Sequence, residues 1–172
     1  MPLFVFAYGS LIFRPSPTFG ERRPAAVRGF RRAFRQGSPD HRGTPEYPGR
    51  VVTLLREEGA VCGGAVYSVD DARVGEALEE LDDRESGGYD RAEVLVEVPG
   101  AQGVRALTWI AGPENPNHLA PRPIAEVVDV VRRARGKSGA NADYVLRLAE
   151  ALRSLGWNDP EVFAIEAALL AV

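Results

Sequence analysis

The stretch VVTLLREEGAVCGGAVYSV, Val51–Val69, decides the fold class. Val51–Leu55 and Val61–Val69 are apolar runs of strand length, and the charged, glycine-containing REEGA between them reads as a break separating two strands. Strands recur on both sides of it. Leu3–Ala7 is an apolar run of buried-strand length, Val27–Phe34 alternates bulky and basic residues, and Glu93–Val98 and Val104–Ile110 flank the turn-rich PGAQG as a hairpin. Roughly six short strands suffice for a curled mixed sheet or a small β-barrel.

Helices follow a different period. Val74, Ala77, Leu78 and Leu81 recur at three- and four-residue spacing while Glu79, Glu80, Asp82 and Asp83 fill the other face, and SGGY stops the pattern. Three more helices are predicted in the last third: Ile124–Ala134 after Pro123, Ala142–Leu155 after Asn141 as cap, and Val162–Leu170 after NDP. Strands first and helices last indicate α+β rather than alternating α/β. The Pro- and Gly-rich segments GSPDHRGTPEYPGR and GPENPNHLAPRP are long for connectors, which favours a functional use.

With 172 residues, 45% hydrophobic and 26% charged, the chain fits one domain over residues 1–172. The net charge of -3 and the lack of a basic tract argue against a nucleic-acid partner. One cysteine, Cys62, excludes an internal disulfide, and the separated His41 and His118 lack zinc-like spacing. Leu3–Ala7 is too short for a signal peptide or membrane span. A cytoplasmic protein without a membrane partner is expected.

Glu85 is the sharpest chemical signal. It follows Leu81 by four residues, so a helix reaching that far carries its carboxylate on the apolar stripe. Burial and the negative helix end would both raise its pKa toward that of a general base. The ordinary alternative is an ion pair with Arg84, Arg91 or another arginine. Tyr8-Gly9-Ser10-Leu11 follows the first strand and either presents backbone N–H groups to an anion or forms a plain tight turn. Ser10 lacks the G-x-S-x-G setting of a hydrolase nucleophile. Gln36–Gly43 is either one wall of a site, with Asp40, His41 or Arg42 reaching a charged ligand, or a self-bonded loop. Tyr144 reads by itself as a packing residue, and Cys62 as an inert buried thiol.

Taken in order, FAYGSLIFRP, VRGFRRAFRQGSPDHRGTPEYPGRVVTL, LDDRESGGYDR, GPENPNHLAP and SGANADYVLRLAEALRSLG resemble the ChaC family of γ-glutamylcyclotransferases, often labelled cation transport regulators. The resemblance runs from about Phe4 to Gly156. It implies a γ-glutamylcyclotransferase-like fold, a small barrel with packed helices. It also implies cleavage of glutathione, the expected small-molecule substrate, to 5-oxoproline and cysteinylglycine without metal or cofactor. The family's catalytic acid/base falls on Glu85, its substrate-cradling turn on Tyr8, Gly9, Ser10 and Leu11, and its late site-lining tyrosine on Tyr144. Ser86 stands where the family usually has Lys. A monomer is the favoured state. Two alternatives accompany this expectation: a cyclotransferase for another γ-glutamyl amine or peptide, and a non-catalytic regulatory binding protein, for which an inward Glu85 has no use.

Overall fold

In the computed structural model, which describes residues 2–171, five strands close on themselves. They are β1 (Leu3–Ala7), β2 (Arg22–Ser38), β3 (Gly49–Val69), β4 (Asp90–Glu97) and β5 (Val104–Ile110), in the spatial order β1-β3-β2-β4-β5. A ring of five strands cannot alternate in direction all the way round, so one neighbouring pair must run parallel. That pair is β1 and β5, meeting at Val5 and Leu107, and the other four pairings are antiparallel. Closure is confined to one part of β2 and β3, which run on past it as a long hairpin paired, among the five strands, with each other alone. The barrel is the small one expected.

The REEGA segment is not the break that its composition suggests. β3 runs unbroken from Gly49 to Val69, and REEGA is a bulge within it. The register with β2 passes from Arg28↔Val61 to Phe30↔Arg56, so Gly29 alone stands opposite residues 57–60. Gly29 and Gly59 both have φ of 79°, the left-handed backbone that a glycine adopts without a Cβ clash. Arg56, Glu57 and Glu58 are exposed there, which explains why a strand carries charges in succession. β2 is likewise longer than its apolar centre, and the two-residue strands β6 (Arg135–Gly136) and β7 (Gly139–Ala140) form a separate ribbon.

Four helices accompany the barrel: α1 (Val74–Arg84), α2 (Ile124–Arg133), α3 (Asn141–Ser154) and α4 (Pro160–Leu170). α3 packs against α2, α4 and β3, and the buried faces of these helices join the barrel in one hydrophobic core. Leu148, Leu152 and Ile165 have no exposed surface, and burying such a side chain contributes about 1.5–3 kcal/mol. Asp159 caps α4, accepting from the Val162 N–H at 3.1 Å, with Pro160 in the first turn. Asn141 does not cap α3. Its fully buried amide instead accepts from the Arg50 N–H at 2.7 Å and donates to the Arg50 carbonyl at 2.9 Å, fastening the start of α3 to β3. No helix among the described residues is long and apolar enough to cross a membrane.

Candidate active site

β1 ends against a short 3₁₀ turn, Ser10–Ile12, whose own backbone bonds begin with Ile12 N–H to the Gly9 carbonyl at 3.0 Å. Gly9, Ser10 and Leu11, whose N–H groups precede that bond, line a cavity of about 690 Å³. Tyr8 is anchored at both ends. Its hydroxyl donates to the Trp109 carbonyl at 2.6 Å, and its own carbonyl accepts from Arg32 Nε at 2.8 Å. Arg32 is buried, holds Asp159 at 2.5 Å and also donates to the Gly63 carbonyl. The N-cap of α4 thereby supports the turn after β1. Gly9 is needed for close approach: a Cβ there would stand 3.1 Å from Val52 Cγ2 and 3.3 Å from the Tyr144 hydroxyl.

Tyr144 lies in the first turn of α3, its ring edge-on to Phe13 and Phe34, and its hydroxyl accepts from the Val52 N–H at 3.2 Å. Burial pushes its pKa up to about 12. The phenols of Tyr8 and Tyr89 are also pushed well up, chiefly by burial, so all three stay neutral at physiological pH.

Glu85 is the residue that ends α1, its N–H bonded to the Leu81 carbonyl at 2.9 Å. Its side chain is 18% exposed, and burial raises its pKa from 4.5 to about 6 against the opposing pull of Arg84. The negative end of α1 acts in the same direction as burial. Arg84 Nε stands 4.0 Å from the carboxylate, so the ion-pair alternative is met by Arg84 only loosely; Arg91 pairs with Asp82 instead. Arg84 also donates to the Arg14 carbonyl at 2.7 Å and to Ser10 Oγ at 3.0 Å, tying the helix end to the turn. Behind Glu85, Asn115 donates to the Gly88 carbonyl at 2.8 Å and accepts from Gln36 Nε2 at 3.1 Å, bracing the Gly87-Gly88 turn against β2.

Gln36–Arg42 supplies the facing wall. Asp40 is held by Lys137 at 3.2 Å, and His41 Nδ1 lies 2.7 Å from Ser138 Oγ. Arg42 sits over the Tyr144 ring, 5.8 Å from its centroid, and Nη1 donates to the Ala140 carbonyl at 3.0 Å. The cavity therefore joins one proton-accepting carboxylate to three guanidinium-bearing residues, Arg14, Arg42 and Arg84. Such a site can bind a carboxylate-bearing molecule and move one proton on it.

A family model for the ChaC-like protein matches residues 3–171. The chain belongs to the ChaC-like family. This ChaC-like chain is 41% identical to γ-glutamylcyclotransferase 2-3 of Arabidopsis thaliana, over 94% of its own length and 85% of that protein's. It is 40% identical to the human glutathione-specific γ-glutamylcyclotransferase 1, over 90% of its length and 71% of the human protein's. The crystal structure of a yeast γ-glutamyl cyclotransferase described as specific to glutathione superposes with a TM-score of 0.90 at 28% identity, covering 98% of this chain and 95% of that one. The fold is thus the γ-glutamylcyclotransferase fold.

The ChaC-like chain brings Tyr8, Gly9, Ser10, Leu11, Glu85 and Tyr144 to one cavity, and Ser86 lines it as well. Ser10 Oγ meets Arg84, not a histidine. Cys62 is buried, its thiol pushed up by burial, and it does not line the cavity. Among the described residues no three His, Cys, Asp or Glu side chains could hold a metal ion. Sequence reasoning missed Arg32, Tyr89 and Asn115. Arg32 had no local signal, since its partners lie 24, 31 and 127 residues away. Tyr89 had one: it closes the RESGGY run that holds Glu85.

Proposed function

We propose that this chain cleaves glutathione to 5-oxoproline and cysteinylglycine, with Glu85 as general acid–base. The carrying observation is Glu85 itself, a largely buried carboxylate poised near pH 6 at a cavity wall shared with the Tyr8–Leu11 turn. Names of relatives at about 40% identity support glutathione as the substrate. The γ-glutamyl group carries its own nucleophile, so the protein has mainly to fold it for five-membered ring closure. The α-amine nitrogen bonds to the γ-carbonyl carbon while Glu85 takes an amine proton. The amide bond to the cysteinyl nitrogen then breaks, and Glu85 returns the proton to that leaving nitrogen. No water is consumed, and no electron changes hands. Neutral tyrosines around Glu85 keep its surroundings from adding negative charge, and backbone N–H groups of Gly9–Leu11 hold the developing oxyanion or the α-carboxylate. Tyr144 walls the substrate in. A cytoplasmic monomer without nucleic-acid or membrane partner completes the proposal.

The test is incubation of purified protein with glutathione while both products are followed, beside Glu85→Gln. Both products from wild type, with turnover lowered at least about a hundredfold in the variant, are expected. A folded wild type that yields neither product removes the assignment to glutathione.

A further inference from the structure

Arg32, Arg42 and Arg50 are all buried, but they are not equally satisfied. Arg32 donates to two carbonyls and holds Asp159, and Arg50 donates to the carbonyls of Phe34 and Ala120. Arg42 has one side-chain bond, from Nη1 to the Ala140 carbonyl. Among the described residues its guanidinium makes no other hydrogen bond, and Arg42 lines the cavity. Among the described residues neither Arg42 nor the neighbouring Arg14 forms an ion pair, and Asp40, the acid of that wall, is taken by Lys137. Burial disfavours the Arg42 charge and Arg14 and Arg147 repel it, against the opposing pull of Tyr144 and Asp143. A buried guanidinium in that position gains more from an incoming anion than an exposed one would.

The cavity also has two ends. Glu85 ends α1, whereas Arg42 comes from the Gln36–Arg42 wall and is held over the Tyr144 ring by its bond to the Ala140 carbonyl. Glu85 and Arg84 stand together at one end; Arg42 lies across the Tyr144 ring. A γ-glutamyl peptide has a carboxylate beside its amine and another at its far terminus. The first must stay with Glu85, because it shares a carbon with the amine that Glu85 deprotonates.

We propose that Arg42 is a specificity residue that grips the C-terminal carboxylate of the peptide, which makes the enzyme selective for γ-glutamyl peptides with a free terminal carboxylate over γ-glutamyl amines. The planar fork of Arg42, stacked on Tyr144, suits a carboxylate approached edge-on. Arg14 lines the same cavity and adds positive charge to it.

This inference rests on the cyclotransferase reading, and the experiment separates the two. Release of 5-oxoproline is measured from glutathione and from its C-terminal amide, for wild type, Arg42→Gln and Arg42→Lys, with folding checked by thermal melting. Wild type prefers the free acid by about tenfold or more in kcat/KM, carried by KM. Arg42→Gln removes that preference, its loss in kcat/KM being about tenfold larger on the free acid than on the amide, and Arg42→Lys retains part of it. Absence of a preference in wild type, or equal losses on both peptides in Arg42→Gln, overturns the assignment. The cyclotransferase reading fails separately, when folded wild type releases no 5-oxoproline from glutathione. Calorimetric binding of the same two peptides then scores Arg42 by the same difference.

Discussion

The two faces of the last turn of α1 hold acids only three residues apart, Asp82 and Glu85, and treat them in opposite ways. Asp82 points outward, where Arg91 engages both of its oxygens and Trp109 Nε1 donates at 2.9 Å; these bonds hold its pKa below the ordinary 3.8. Glu85 points to the cavity, its charged neighbour among the described residues a loosely placed Arg84, and burial drives it up to about 6. Both share the same helix end and the same dipole. Solvent and donors, rather than residue type, decide which acid is permanently charged and which can exchange a proton near neutrality.

The strongest way to break this contrast is Glu85→Gln, which lowers turnover at least about a hundredfold as stated above. It also carries a stability signature of definite sign. A carboxylate raised in the fold stabilises below its unfolded pKa of about 4.5 and loses that contribution as pH rises through about 6. Wild type at neutral pH therefore forgoes about 2 kcal/mol relative to its acid form. Glu85→Gln should melt higher than wild type at pH 7 and equally at pH 4, and thermal melts at both values check this. Arg84→Gln is the intermediate case. Removing the one charge that lowers Glu85 moves the acidic limb of the kcat/KM profile to higher pH, and an unmoved limb would show another group titrating. The smallest effect belongs to Asp82→Asn, since exposed pairs contribute little. Turnover changes by less than about twofold, and the slight loss of stability, present above the ordinary carboxylate pKa, disappears as pH falls through the depressed value. A large loss of turnover in Asp82→Asn would erase the distinction between the two faces.

That Glu85 faces inward was legible from one spacing, because Leu81 is buried four residues earlier on the same stripe. The helices and the β4–β5 hairpin were legible for the same reason: their apolar residues keep a period, and their ends carry turn residues. REEGA was misread because an exposed bulge with two acids and a glycine has the composition of a turn, and only its partner strand shows that pairing resumes. Asn141 was misread as a cap because the residue type suits that role. Its actual partner, the backbone of Arg50, lies 91 residues away, beyond any local pattern. Separation along the sequence likewise hid Arg32, whose partners lie 24 to 127 residues away, and Asn115, which braces Gly88 and Gln36 from 27 and 79 residues away. Residues that touch the cavity left traces in short motifs, whereas residues that hold those motifs in place did so through contacts that only the folded chain makes.

The tie between Arg32 and Asp159 has a consequence for how the molecule comes into being. The turn after β1 is made before α3 and α4, yet its support comes from the cap of α4, and Tyr144 arrives only shortly before that cap. A nascent chain that has already formed its barrel strands has the carboxylate and the turn but neither the wall between the two ends of the cavity nor the strut behind it. The cavity is thus assembled from both halves of the sequence, and its strut and wall are added only when α3 and α4 dock.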